Sequence, residues 1–205
     1  MTTSVSRALI ILAVCVAAGL GLHKRQAAAA GARVTDDQRT ATLRFAPTVT
    51  AEDRAWVLAA VASARPAARR LIDEVDGLIE VRTDLASGEA IGMAEMQGDQ
   101  ATVSLHGSLL NGERAIDRAV VVLHELGHVI DFVLVDDTLR QRMDAAIPRL
   151  GTPAVEERFA ETFAKWALGG RVSIAGDGYG IPNPPSIEDW GAPLSRLAIE
   201  LDLER

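Results

Sequence analysis

The chain has 205 residues, which is enough for one well-buried domain with appendages but too few for two comfortable ones. Its formal net charge of −7, without a cluster of Lys and Arg, argues against nucleic acid as a partner, because a phosphate backbone is bound through clustered basic side chains. The apolar fraction of 48% is typical of a soluble globular protein, and because much of it is alanine we expect a helix-rich core with little aromatic filling.

Residues 1–32 have the layout of an export signal. Arg7 precedes an apolar run over residues 8–22, and the alanine tract 27–30 offers cleavage sites. An apolar run of this length is short for a membrane span, for which about 20 residues are usual. We therefore expect a cleaved signal peptide, with an uncleaved anchor over residues 8–22 as the alternative. Both predict a secreted or cell-envelope protein that contacts a membrane only through this segment.

Residues 33–50 are interpreted as a linker with one short strand near 42–45, and residues 51–205 as the folded domain. Thr50 predicts the start of a helix over 51–75, because a threonine side chain can accept a hydrogen bond from a first-turn amide. Pro66 should kink or split that helix, since proline lacks the N–H that an interior helical position uses.

Alternating apolar residues predict three strands, over about 78–83, 90–97 and 101–106. The dipeptide Gly98-Asp99 indicates a turn between the last two. Together these strands should form a small antiparallel or mixed sheet.

The pattern then changes to helical. A helix over about 113–135 is apolar on nearly every face, which predicts that it is buried in the middle of the domain. Further helices are expected over 137–147, from Thr152-Pro153 to Leu168, and over 194–203, the last after a Gly- and Pro-rich loop. The predicted fold class is therefore α+β, with a small sheet packed against a central helix.

The central helix carries the sequence HELGH, residues 124–128. Residues four apart project from the same face of a helix, so His124 and His128 can bind one metal ion. Glu125 is rotated about 100° from His124, which keeps it off the ion but lets it reach a water on the metal. Two neutral nitrogen ligands and one carboxylate base are the residue types that zinc hydrolysis needs.

Two features distinguish this pentapeptide from a chance match. Three polar groups in a buried helix need partners, and a metal ion with its water supplies them. Gly127 is the second feature, because glycine in a helix interior costs about 1 kcal/mol relative to alanine. Its simplest explanation is that another backbone comes close at this position.

A catalytic zinc needs a third protein ligand, and the helix that ends at Leu168 offers carboxylates. Glu157 and Glu161 lie four residues apart, on a side with small residues that would let two helices approach. We favour Glu157 as the ligand, with Glu161 holding the other nitrogen of a ligand histidine. Glu156 and Glu161 are the alternative ligands.

The polar residues on the other side of that helix are expected to face solvent: Arg158, Thr162 and Lys165.

The runs HELGHVID, residues 124–131, and ERFAETF, residues 157–163, resemble gluzincin metallopeptidases, and among them the catalytic domain of the anthrax lethal factor family. The resemblance covers about residues 113–168. It implies a zincin-like fold with three zinc ligands, a general base and a supporting acid: His124, His128 and Glu157, then Glu125, then Glu161. Asp131, one turn beyond His128, would orient that histidine or its helix, or serve as an exposed cap or salt-bridge partner.

One part of that family's pattern is missing here. The family places a tyrosine shortly before the ligand glutamate to steady the oxyanion, and residues 150–155 contain none. Tyr179, in a Gly-rich loop, and His106, at the end of a strand, are the candidates for this role. The segment 101–105 is expected to pair with the substrate backbone, since gluzincins use an edge strand in this way.

The predicted function is thus a zinc-dependent endopeptidase, with Zn²⁺ as cofactor and a protein or peptide as substrate, in which Glu125 activates a zinc-bound water. The alternative is a catalytically inactive, zinc-stabilised binding protein of the cell envelope.

Overall fold

The computed structural model describes residues 43–85, 91–106, 117–149, 153–170 and 181–203. Within these ranges the protein has six α-helices and one four-stranded sheet. The helices are α1 (Ala51–Ser63), α2 (Pro66–Val75), α3 (Arg118–Leu134), α4 (Asp137–Ala145), α5 (Val155–Ala167) and α6 (Ile187–Leu203). The strands are β1 (Arg44–Phe45), β2 (Ile79–Arg82), β3 (Gly92–Gln97) and β4 (Gln100–Leu105).

The sheet is mixed and has the strand order β1-β2-β4-β3. Strands β1, β2 and β4 run parallel, whereas β3 and β4 form an antiparallel hairpin that turns at Gly98, where φ is 66°. The α+β class with a small mixed sheet is therefore confirmed.

The position of β4 corrects one expectation. This strand pairs with β2 on one side and with β3 on the other, so both of its edges are occupied. The predicted pairing of residues 101–105 with a substrate backbone is wrong for this reason, because no backbone groups remain for a further strand. Among the described strands, β3 is the edge on that side of the sheet.

The N-terminal helical segment is split as expected. The Thr50 side chain accepts a hydrogen bond from the Asp53 amide at 3.1 Å, and α1 starts at the next residue. It ends at Ser63, and α2 begins at Pro66, where a missing N–H is harmless because first-turn amides have no partner inside the helix.

Residues 43–50, which the sequence placed in a linker, take part in the fold. Strand β1 extends the sheet, and Leu43, Ala46 and Val49 are buried. The folded unit therefore includes these residues as well as the helices that follow.

Helix α3 lies in the centre of the domain and buries residues 122–131. Its first turn is capped by Asp117, whose side chain accepts a hydrogen bond from the Ala119 amide at 2.9 Å. The expected start near 113 lies outside the described residues. Helix α5 packs along α3 and is followed by Gly169 and Gly170, which have φ values of 66° and 70° and stop the helix as predicted.

Two helix starts differ from the prediction. The residue that precedes α5 is Ala154, which offers no side-chain cap, and not Thr152. Helix α6 starts at Ile187 and not near 194, because Ser186 accepts a hydrogen bond from the Asp189 amide at 3.1 Å and Trp190 is buried. The loop was expected to reach residue 190 because residues 176–190 are rich in Gly and Pro, whereas the helix includes residues 187–190 and also contains Pro193.

The three residues of α5 that were expected to face solvent are buried, with 0–5% of their surfaces exposed. Arg158 donates to the Asp144 carboxylate at 2.5 Å and to the Ile147 carbonyl at 2.9 Å. Thr162 donates to the Arg158 carbonyl at 2.7 Å. Lys165 donates to the carbonyl of Ile181 at 2.9 Å. Partners on other segments compensate Arg158 and Lys165 for the loss of solvent, and a carbonyl one turn earlier compensates Thr162. The prediction was wrong for the two charged residues because their partners lie on other segments.

None of the helices in the described ranges is long and apolar enough to cross a membrane. Residues 1–32, the predicted signal or anchor, lie outside these ranges.

Candidate metal centre

Gly127 sets how closely the two central helices approach. A Cβ at this position would lie 3.1 Å from the Cα of Ala160 and 3.3 Å from its carbonyl oxygen, both on α5. The expected close approach of another backbone is therefore confirmed. This contact brings the face of α3 that carries the histidines against the face of α5 that carries Glu157.

His124, His128 and Glu157 converge on one point between the helices. Each residue offers a ligand atom, and these atoms all lie within 4.8 Å of one another. Nε2 of His124 is 3.2 Å from Oε2 of Glu157, and Nε2 of His128 is 3.6 Å from Oε1. The residues are buried, with 6%, 5% and 3% of their surfaces exposed. In the part of the chain that the structure describes, this is the one group of such side chains that could hold a metal ion.

The electrostatics of the group favour a cation. Burial alone would lower the pKa of His124, but its hydrogen bonds to Glu157 and Glu161 outweigh burial and raise the pKa to about 10. Burial alone would raise the pKa of Glu157, but the two histidines outweigh it and hold the pKa well below its usual range. The Oε1 atom of Glu157 is buried and has no hydrogen-bond partner among the described residues. A cation between these side chains would be attracted by the Glu157 carboxylate and would give its Oε1 a ligand.

Glu161 supports the group from behind. Its Oε2 lies 3.3 Å from Nδ1 of His124, the ring nitrogen that points away from Glu157. A carboxylate on the second nitrogen is what fixes the orientation of a metal-ligating histidine. Of the three acids considered as ligands, Glu157 is the one in the group, while Glu156 is only half-buried and outside it.

Lys165 is a site residue that sequence reasoning missed. Its Nζ lies 3.3 Å from Oε1 of Glu161, so this carboxylate lies between the lysine and His124. Lys165 lies four residues after Glu161, the spacing at which opposite charges pair on a helix, and this was the available signal.

Glu125 lies beside the group without belonging to it. It is 2% exposed, and burial raises its pKa. Its side chain packs against Gly92 at the start of β3, where an added Cβ would lie 2.7 Å from Cδ of Glu125. A carboxyl group with a raised pKa beside a group that could bind a metal ion is suited to proton transfer near neutral pH.

Asp131 is buried completely and faces α4. Its Oδ1 accepts a hydrogen bond from Nε of Arg140 at 2.7 Å, and its backbone carbonyl accepts one from the same guanidinium at 2.8 Å. Asp131 thus forms a salt bridge, one of the roles considered, but at a buried position and not an exposed one. Its other oxygen, Oδ2, is buried and accepts no hydrogen bond from His128 or from any other described residue.

Of the two candidates for the oxyanion role, only His106 lies within the described residues. His106 is 4% exposed and follows β4, where its backbone forms an isolated bridge with Asp84. Tyr179 lies outside the described residues, and its role stays a prediction. Phe132, which sequence reasoning did not single out, stacks on the ring of His128 with 6.2 Å between centroids and is 43% exposed, so it forms an apolar rim at the centre.

The arrangement is therefore a buried His-His-Glu group that could bind a metal ion, with a separate carboxylate beside it. No family model matches the chain, and no curated protein and no solved structure matches it either.

Proposed function

We propose that this protein is a zinc-dependent metallopeptidase of the gluzincin type, with a zincin-like arrangement of the HExxH helix and a glutamate-bearing helix. The observation that carries the proposal is the convergence of His124, His128 and Glu157, with Glu125 adjacent but separate. Two histidines and one glutamate are the protein ligands of a known class of catalytic zinc sites. Both the histidine nitrogens and the buried Oε1 of Glu157, which accepts no hydrogen bond within the described residues, fit such an ion.

The reaction assigns each residue one task. When bound, zinc supplies Lewis acidity, which makes water more acidic and polarises a carbonyl group. Glu125 takes a proton from the attacking water and passes it to the amine that leaves. Its raised pKa brings this carboxyl nearer to the working pH, as efficient proton transfer requires. Glu161 and Lys165 hold His124 in the orientation that points its Nε2 at Glu157, so that both residues could hold the ion.

A peptide is the proposed substrate because an edge strand begins at the site. Strand β3 starts at Gly92, next to Glu125, and is paired only with β4 among the described strands. An edge strand can bind an extended peptide through main-chain hydrogen bonds, which hold the peptide irrespective of its side chains. Strand β3 therefore takes the role first expected for residues 101–105.

Export is part of the proposal and is supported by the layout of residues 7–32. N-terminal sequencing of the protein from the culture medium and from the cell envelope would locate any cleavage. A free N-terminus in the tract 27–33 would support a removed signal peptide, and an intact residue 8–22 segment would support an anchor.

The central experiment combines metal analysis with cleavage of a mixed peptide library. We expect about one zinc per chain, cleavage by the wild-type protein, and loss of cleavage in Glu125→Gln with zinc retained. Glu156→Gln is the matched control, because Glu156 lies outside the metal group, and it should keep activity. Wild-type protein without zinc would refute the proposal. Zinc without cleavage would favour the zinc-stabilised binding protein instead.

A further inference from the structure

The first residue of the edge strand lies against the proposed general base. Gly92 is buried, and a Cβ on it would stand 2.7 Å from Cδ and 2.8 Å from Cγ of Glu125, and closer still to Oε1. Non-bonded carbon atoms pack best at about 3.5–4.0 Å. No side chain fits at residue 92 while Glu125 keeps its position.

The backbone gives no other reason for glycine here. The described glycines with positive φ are Gly98, Gly169 and Gly170, so Gly92 is not held in the left-handed region. It pairs with Leu105 in the regular antiparallel register of β3 and β4, without a bulge. Glycine inside a strand weakens the strand, because it has no side chain to pack. We therefore attribute the glycine to the space that its missing side chain leaves for Glu125.

The Glu125 side chain occupies that space, with its Oε1, Cδ and Cγ against Gly92. Its Oε2 is buried and has no hydrogen-bond partner within the described ranges. Packing, and not hydrogen bonding, therefore determines where this oxygen lies. Gly92 forms one wall of that packing, and the wall belongs to the strand proposed to bind the peptide.

We infer that Gly92 is a positioning residue: by lacking a side chain, it fixes the Glu125 carboxylate between the edge strand and the histidine ligands. The catalytic role of Gly92 rests on the proposed function, whereas the packing of Gly92 against Glu125 does not. A side chain at residue 92 forces the carboxylate to rotate away or β3 to shift. Either movement harms proton transfer, because a misplacement of about 1 Å can cost about 100-fold in rate.

A double-mutant cycle on the full chain tests the packing relation. In the wild-type background, Gly92→Ala should raise the unfolding equilibrium constant about 10- to 100-fold, as overpacking of a buried site does. In the Glu125→Ala background the same change should alter it by less than about threefold, because the atoms in the way are gone. If Gly92→Ala alone fails to fold, Glu125→Ala should restore folding.

Gly77→Ala is the matched control. A Cβ on Gly77 meets nothing within 4 Å, and its φ is not positive, so this change should have the same small effect in both backgrounds. An equal cost of Gly92→Ala with and without the Glu125 side chain would overturn the inference. A double variant that does not fold would overturn it too.

The catalytic role of Gly92 is tested separately, through zinc affinity and steady-state kinetics. Gly92→Ala should leave the dissociation constant for zinc within about threefold of wild type, because Glu125 is not a ligand, and should lower kcat about 100-fold with little change in KM. A variant with wild-type kcat would overturn the positioning role. If no peptide is cleaved by the wild-type protein, the proposed function fails while the folding cycle still decides the relation between Gly92 and Glu125.

Discussion

Lys165 and Glu161 form a buried ion pair one helical turn apart, with 3.3 Å between Nζ and Oε1. The other oxygen of Glu161 contacts His124, and Lys165 also donates to the Ile181 carbonyl. A single lysine thus connects the carboxylate behind the His-His-Glu group with the segment that leads into α6. Removing the charge of Lys165 should therefore affect both zinc binding and the free energy of unfolding.

Lys165→Met should weaken zinc binding about tenfold, because Glu161 loses the charge that holds it against His124 and changes in residues that support a metal ligand typically cost 10- to 100-fold. It should also lower the free energy of unfolding by about 1–3 kcal/mol, since buried acceptors lose a donor. Competition with a fluorescent zinc chelator measures the first effect, and urea denaturation the second.

Thr162→Val is the control for this variant. Thr162 lies on the same helix and is equally buried, but its hydroxyl donates to the Arg158 carbonyl. It should lose about 1 kcal/mol of stability with unchanged zinc affinity. Unchanged zinc affinity in Lys165→Met as well would show that the lysine has only a structural role.

Gly127→Ala should separate α3 from α5. The gain of about 1 kcal/mol in helix propensity is opposed by contacts of 3.1 Å and 3.3 Å with the backbone of Ala160, which cannot move without its helix. Overpacking costs about 1–3 kcal/mol, so we expect a net loss of up to about 2 kcal/mol in the free energy of unfolding, together with weaker zinc binding. A variant that is more stable than wild type and binds zinc equally well would contradict the close approach.

The three neighbouring acids of α5 should rank differently when each is changed to glutamine. Glu157→Gln should weaken zinc binding most, because it removes a ligand charge. Glu161→Gln should weaken it about 10-fold, as expected of a residue that orients a ligand. Glu156→Gln should change it less than about threefold, since Glu156 lies outside the group. Zinc titrations of the three variants establish the order, and a larger effect at Glu156 than at Glu157 would contradict the ligand assignment.

Asp131 predicts a specific pH dependence of stability. Burial raises its pKa to about 6, against the opposing hydrogen bond from Arg140. The folded state therefore binds this proton more tightly than the unfolded state, where the pKa is near 3.8. The protonated Asp131 side chain therefore contributes about 3 kcal/mol to the free energy of unfolding. This contribution is fully present below pH 3.8 and is lost as the pH rises through 6.

Asp131→Asn should remove this dependence. Unfolding free energies measured between pH 4 and pH 7 in excess chelator should fall more steeply with pH in the wild type than in the variant. Asp137→Asn is the matched control, because Asp137 also pairs with Arg140 at 2.7 Å but its side chain is 88% exposed, and its profile should follow the wild type. Parallel profiles for all three proteins would refute the assignment.

The features that the sequence predicted are those with a local cause. Thr50, Pro66 and the glycines after α5 each act on the backbone within one helical turn, so the boundaries at these residues agree with the structure. The pairing of His124 with His128 is local in the same sense, and Gly127 indicated a close neighbour because glycine is unfavourable inside a helix.

The features that the sequence did not predict depend on distant partners. The burial of Arg158 and Lys165 follows from Asp144 and from the Ile181 carbonyl, which the chain brings in from other segments. Likewise, the hairpin of β3 and β4 is a local feature, but the pairing of β2 with β4 is not. For this reason the strands were located correctly, but β4 was wrongly expected to be an edge strand.

The strand order also separates the first described strand, β1, from β3, the edge at which we propose that a peptide binds. Residue 43 leads into β1, and β1 and β3 are the outer strands on opposite edges of the sheet. Three intervals between neighbouring strands, about 14 Å, lie between them. If the chain before residue 43 tethers the protein, the tether joins the sheet at β1, on the edge opposite the one where the proposed peptide would pair with β3.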